Sequence, residues 1–369
     1  MELKNYERHG FRAKPVRENH GHVCFEKPID ETVSNYTDIL RHFNCSSVNL
    51  CAIPVSYSVT ENWQTMYCKA KLAPRIFASA GPEYFLDQRD NADNLLLQAK
   101  EYREMGFDGM KMLDGKVTQY RITKYSLAEK RFDKLFAYAE QNKIPIVMHI
   151  GDPAKFWDKS QMTEYAISRG WVYEPYEPSL EDVRGWVFDI LSRYPGLHLV
   201  LAHFFFMGSE LDRAAKIFDT YKNVYFDLTP GGEMFVKFTE NYDESRLFFE
   251  KYSDRLLYGT DMYNTFESAD KAEAEVAGPR VFQLRSMLEG KEEFMSPLIS
   301  DKPLRPFGFE GEILDKIYIG NAARIYGENP RPIDRERVAA RSRKFTLENK
   351  LSALEAENMK IITEYFERG

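Results

Sequence analysis

The chain has 369 residues, of which 43% are hydrophobic and 14% aromatic, and its 50 basic and 57 acidic residues give a formal charge of −7. With no basic run outside the C-terminal tail, the composition does not suit a polyanion, and nucleic acid is not an expected partner. No window approaches the roughly eighteen consecutive apolar residues of a membrane span, and the start "MELKNYERHG" lacks the apolar stretch of a signal peptide. Cys24, Cys45, Cys51 and Cys68 form no CxxC pair, so a reduced, cytoplasmic protein is expected.

In chain order, short apolar or β-branched runs alternate with helical patterns. The first run is "VRENHGHVCF" (16–25), followed by "SSVNLCAIPVS" (46–56), "RIFASAG" (75–81) and "FDGMKML" (107–113). Then come "IPIVMHI" (144–150), "LHLVLAHF" (197–204), "VYFDLT" (224–229) and "RLLYGTD" (255–261), eight in all. Several are continuously apolar, as strands buried on both faces of a parallel sheet are. Helices are expected near 60–71 and 93–105. "SLAE" (126–129) reads as a capping box with Ser126 as cap and Glu129 at the third position. "SLED" (179–182) opens a helix that Pro195 stops, and "SELD" (209–212) opens another.

Eight strands alternating with helices predict a (β/α)8 TIM barrel over residues 1–330, with a C-terminal helical extension over 331–369. An open doubly wound sheet is the rival, but no GxGxxG or P-loop is present. Long loops follow strand five (153–178, rich in aromatics) and strand eight (262–310), at the barrel end where active sites are built. In the extension, Leu347, Leu351, Leu354, Ile361 and Tyr365 follow 3–4 spacing with Asn358 in the seam. This stripe is expected to pack on its own barrel; pairing of two subunits into a homo-oligomer is the alternative.

The histidines carry the chemistry. His20 and His22 are alternate residues of strand one and so share a face. His149 ends strand five, His203 ends strand six and Asp261 ends strand eight. A barrel brings these ends to one rim. Imidazoles with a carboxylate suit Zn(II), with Mn(II), Fe(II) or Co(II) as alternatives. His20, His22, His149 and Asp261 are the expected ligands, with His203 beside the metal. His9, His42 and His198 do not fit the set and are read as structural or exposed.

"ENHGH", "MHIGDP", "LAHF", "YGTDM" and "IGNAARIYG" occur in the order of the motifs of the amidohydrolase superfamily. Residues 16–327 resemble its amidohydrolase-related group, which includes aminocarboxymuconate-semialdehyde decarboxylase and several lactonases. Glu18 stands where that group usually has aspartate. The resemblance implies one divalent metal. In other branches a lysine at the position of Lys111 is carboxylated and bridges two metals; here Lys111 is open to that role, to binding a substrate carboxylate, or to pairing with Asp108 or Asp114.

The expected activity is hydrolysis of an ester, lactone or amide in a small molecule, with Asp261 as base and His203 steadying the developing charge. Decarboxylation or hydration on the same scaffold stays open, as does a non-catalytic barrel within an assembly. The aromatic loop (Phe156, Trp157, Tyr165, Trp171, Tyr173, Tyr176) suits a planar substrate. Trp157 and Trp171 are candidate contacts, and Arg169 and Arg184 are candidate readers of a carboxylate.

Overall fold

The computed structural model of the chain describes residues 14–24, 26–54, 59–84, 92–230, 233–263, 277–296, 298 and 302–368. His9, residues 264–276 of the loop after strand eight, and the side chain of Tyr165 lie outside this set.

The apolar runs become parallel strands: β1 (Val16–His22), β2 (Cys45–Cys51), β3 (Ile76–Ala80), β4 (Gly109–Gly115), β5 (Ile146–Ile150), β6 (Leu199–Leu201), β7 (Val224–Asp227) and β8 (Leu256–Leu257). A short further piece, β9 (Met262–Tyr263), continues the eighth strand. The sheet order is β8-β7-β6-β5-β4-β3-β2-β1-β9. Because β8 pairs with β7 and β9 pairs with β1, the segment 256–263 joins the two ends of the sheet and closes a TIM barrel. The expected eighth strand is thus broken between Leu257 and Met262. Asp261, in this break, has a left-handed backbone (φ 57°) that an uninterrupted ladder does not allow.

The helices at 60–71 and 93–105 form as Thr60–Lys71 and Ala92–Met105. Ser179 caps Leu180–Arg193 in a true capping box with Asp182. The "SLAE" segment differs. Glu129 does reach back to the Ser126 amide at 2.9 Å, but a 3-10 turn (Lys130–Phe132) intervenes and the α-helix begins only at Asp133. At "SELD" the helix begins at Leu211 with no side-chain cap. Among the described residues, no helix is long and apolar enough to cross a membrane.

The barrel floor is a small apolar cluster: Cys51, Phe77, Val147, Val200, Tyr225 and Leu257 face Ala322, Ile325 and Tyr326 of the short helix Asn321–Tyr326. Asn321 opens that helix and donates to the carbonyls of Ser253 and Leu256, both at 2.7 Å. This plug leaves the opposite rim for chemistry.

The C-terminal extension is two helices, Arg335–Glu348 and Ala353–Glu367, folded onto the barrel's own Thr60–Lys71 helix. Phe345 meets Trp63 with ring centroids 5.5 Å apart, and Tyr365 meets Tyr67 at 5.1 Å. The expected continuous stripe is not formed. Asn349 ends the first helix and a Ser352–Glu355 capping box starts the second, so Leu347 is 81% exposed. Asn358 lies in no coiled-coil seam. It accepts from the Ile29 amide and donates to the Lys27 carbonyl, each at 2.9 Å.

Candidate metal centre

Strand β1 is buried along its whole length although its sequence, VRENHGH, is mostly polar. Buried polar groups persist only where partners satisfy them. Glu18 accepts from the amides of His20 (2.8 Å) and Thr260 (2.9 Å) and from the Thr260 hydroxyl (2.9 Å), tying β1 to the broken eighth strand. Burial pushes the Glu18 carboxyl up to about 8 against the pull of these donors. Gly21 sits where a Cβ would meet Val48 at 2.9 Å and Tyr36 at 3.3 Å. A larger residue between the histidines would push β1 off its neighbours.

The two imidazoles are oriented from behind. His20 Nδ1 is 2.8 Å from Asp227 Oδ2, and His22 Nδ1 donates to the Cys51 carbonyl at 2.7 Å. Both partners are acceptors, so in each neutral ring the proton is assigned to Nδ1 and the lone pair to Nε2. Burial holds both rings below their ordinary pKa. The two Nε2 atoms converge on Asp261 Oδ1, at 3.7 Å from His20 and 3.0 Å from His22. Burial opposes ionisation of Asp261, but the Arg280 guanidinium beside it outweighs burial and holds the carboxyl well below its usual range. Three ligand atoms therefore lie within 4.8 Å of one another, all presenting lone pairs. Donor atoms held this close favour a cation among them: Lys111 Nζ already lies 2.7 Å from His20 Nε2, and N,N,O donors match a Zn(II) or Mn(II) site. Imidazoles whose other nitrogen is anchored by a carboxylate or carbonyl are the usual form of metal-ligating histidine.

Asp227 was not singled out from the sequence, although it ends β7 within "VYFDLT", at the same rim as Asp261. It accepts from His20 and from the His203 amide at 2.8 Å. Burial opposes its ionisation, yet the adjoining His20 holds it well below the usual carboxylate range. Arg280, whose Nη1 lies 3.1 Å from Asp261 Oδ2, was also missed; it stands on the helix Ala277–Glu289 within the 262–310 segment, where no local pattern marks it.

The remaining candidates divide. His149, expected as a fourth ligand, stands aside from the trio: its Nε2 faces Asp152 Oδ1 at 3.4 Å and its ring lies edge-on to His203 at 4.7 Å. Burial, helped by Lys116, lowers its pKa to about 4. His203 lies 5.8 Å from His20, ring to ring, and burial holds it well below its ordinary value. Lys111 pairs with neither Asp108 nor Asp114, which Lys69 and Tyr84 engage. Its Nζ is instead 2.7 Å from His20 Nε2, with burial lowering its pKa. Trp157 donates to the Pro178 carbonyl at 3.0 Å, and Trp171 stacks on Phe156 at 6.0 Å. Tyr173 roots this folded loop in the rim by donating to Asp152, whereas Tyr176 is 85% exposed. Arg169 is exposed, its guanidinium 5.9 Å from the Trp171 ring.

Arg184 does not face the site. It is buried between Glu181 (3.0 Å) and Glu210 (2.9 Å) and donates to the Phe206 carbonyl at 3.0 Å. That carbonyl ends an unusual turn. His203, Phe204, Phe205 and Phe206 all have left-handed backbones, with φ of 57°, 54°, 54° and 50°. For residues other than glycine this conformation costs about 1–2 kcal/mol each. Strain of this kind collects at functional sites.

A model of the amidohydrolase family matches residues 84–327. The chain belongs to this family. The match spans His149, His203 and Asp261 and begins after the strand bearing His20 and His22. No curated protein matches the chain. Among solved structures, the amidohydrolase barrel is similar to an uncharacterised TIM-barrel protein from Bordetella bronchiseptica, at 12% identity over 85% of this chain and 98% of that one, with TM-score 0.53. It is likewise similar to a dihydroxybenzoic acid decarboxylase from Polaromonas sp. JS666 with bound manganese and the inhibitor 2-nitroresorcinol (12% identity, 85% and 97% coverage, TM-score 0.52). A third is 4-oxalomesaconate hydratase from Rhodopseudomonas palustris (14% identity, 90% and 100% coverage, TM-score 0.50). At these identities the likeness is one of fold.

Proposed function

We propose that the chain is a metal-dependent enzyme that hydrolyses an ester, lactone or amide bond in a small molecule. The observation that carries this reading is the convergence of His20 Nε2, His22 Nε2 and Asp261 Oδ1, each presenting a lone pair to one point at the barrel mouth. His20, His22 and Asp261 would hold the ion, Zn(II) first and Mn(II) second. A divalent cation there supplies Lewis-acid polarisation and lowers the pKa of a water to about 7.

The chain's own groups do the rest. Asp261, ionised and held by Arg280 at Oδ2, takes the proton of the attacking water. His203, neutral and desolvated, faces the substrate oxygen on which negative charge develops. Lys111, buried beside His20, offsets that charge or a substrate carboxylate. The folded aromatic loop shields the mouth from water.

One observation favours a second reading. A buried ammonium among imidazoles, at Lys111, suits a substrate that brings its own carboxylate, as a decarboxylase or hydratase substrate does. In decarboxylation the bond from carbon to carboxylate breaks, carbon dioxide leaves, and the carbon takes a proton that comes from a water and is relayed through Asp261.

Metal-loaded protein assayed against lactones, aryl esters and amides, with carbon dioxide release followed in parallel on aromatic and unsaturated acids, separates the two. Hydrolysis abolished in a folded Asp261→Asn variant is the expected result. Turnover unchanged in that variant refutes the assigned base, and carbon dioxide release without hydrolysis replaces the first reading with the second.

A further inference from the structure

Four consecutive residues of left-handed backbone, none of them glycine, need restraints at both ends and along the middle. The restraints are visible. At the start, the His203 amide donates to Asp227 at 2.8 Å. In the middle, Phe204 is buried among Phe226, Phe238, Phe248 and Phe249, with ring centroids 5.0–6.1 Å away, and Phe205 packs between Phe188 and Phe226. At the end, the only side chain among the described residues shown donating to the Phe206 carbonyl is that of Arg184.

Arg184 is built to stay there. It is 2% exposed, its Nη1 is fixed by two carboxylates, and its guanidinium lies 5.7 Å from the Phe205 ring. The turn it closes delivers two groups to the site: the imidazole of His203, and the ring of Phe206. Phe206 stacks on His203 (5.2 Å, 22°) and lies 5.7 Å from His149.

We propose that Arg184 is the latch of this left-handed turn: a positioning residue, touching no substrate, that fixes where His203 and the Phe206 ring stand at the mouth. The functional part of this inference rests on the proposed role of His203; the latch itself does not. Without Arg184 the end of the turn is free to relax towards right-handed backbone, and both rings leave their places.

The test is amide hydrogen exchange on Arg184→Met, read at Phe204–Met207 and, as a control, in β1 and β5, with no substrate present. Exchange at Phe204–Met207 at least tenfold faster than in the wild type, with the control strands within about threefold, is the expected result. Arg184→Lys keeps a charge between Glu181 and Glu210 but loses the forked geometry, and should lie between the two. If Arg184→Met does not fold, the lysine variant carries the test, with local acceleration still required. In turnover assays loss of the latch lowers kcat while metal affinity stays within about twofold of wild type; loss of a direct carboxylate reader would raise KM and leave exchange in the free protein unchanged. Exchange at Phe204–Met207 that is unaltered, or that rises equally across the barrel, overturns the proposal. Absence of hydrolysis with local acceleration intact counts against the proposed reaction and leaves the latch standing.

Discussion

Replacing Asp227 by asparagine is the sharpest probe of how the centre is tuned. The change preserves shape but removes a charge that is completely buried. Asp227 is asked to accept on both oxygens: from His20 Nδ1 at 2.8 Å on Oδ2, and from the amides of His203 (2.8 Å) and Thr229 (3.2 Å) on Oδ1. Asparagine has one acceptor oxygen. If that oxygen keeps the two amides, its NH2 faces His20 Nδ1, so the His20 proton must move to Nε2 and the ligand lone pair is lost. If the amide is flipped, its NH2 faces the His203 amide and the left-handed turn loses its first anchor. Loss of the carboxylate behind a ligating histidine typically lowers metal affinity 10–100-fold, or about 1.4–2.7 kcal/mol. Loss of buried hydrogen bonds to a charged group adds about 1.5–3 kcal/mol of destabilisation. Competition of Zn(II) against a chromophoric chelator gives the first number and urea unfolding of the metal-free protein the second. Metal affinity within twofold of wild type, whatever happens to stability, would refute the argument that Asp227 sets the His20 tautomer.

Two further outcomes follow from parts of the fold away from the metal. Burial pushes the Asp114 carboxyl from 3.8 up to about 7. A raised carboxyl favours folding while protonated, so its contribution is full below about pH 3.8 and lost as pH rises through 7; Asp114→Asn should therefore gain stability relative to wild type between pH 4 and 8 in urea titrations, and a pH-independent difference would contradict this. Phe345→Ala, at a fully buried ring against Trp63, should cost about 3–5 kcal/mol of global stability, whereas a loss below about 1 kcal/mol would mean that the C-terminal helices are not part of the barrel's core.

What the sequence discloses here follows from what is local. Nearly continuous apolar runs suffice for β3, β5 and β6, because burial on both faces writes itself into almost every residue. The alternation of His20 and His22 discloses their shared face, and the motif order discloses the family. Hydrogen-bond partners chosen across the barrel are not local. Asp227 ends β7 and Asp261 stands in the break of the eighth strand, both at one rim, and only the position of the His20 ring separates a support from a candidate ligand. His149 is marked by its own strand end, but its facing partner, Asp152 at 3.4 Å, comes from the turn that follows. Arg184 shares the buried helix face with Val183, Val187 and Leu191, a spacing that marks it as packed rather than as a surface reader of substrate. The extension looks like one stripe because leucines recur across the break at Asn349–Ser352, although Ser352 and Glu355 carry the same capping pattern that truly starts a helix at Ser179. The pattern at Ser126 looks alike and makes only a turn, since a cap records a local bond and not the start of a helix.

Anomalous scattering from crystals grown with Zn(II) or Mn(II) tests the central claim most directly. The account predicts one strong peak per chain, about 2.0–2.2 Å from His20 Nε2, His22 Nε2 and Asp261 Oδ1. A barrel mouth with no peak, or an ion held elsewhere while these three side chains keep their positions, would contradict it.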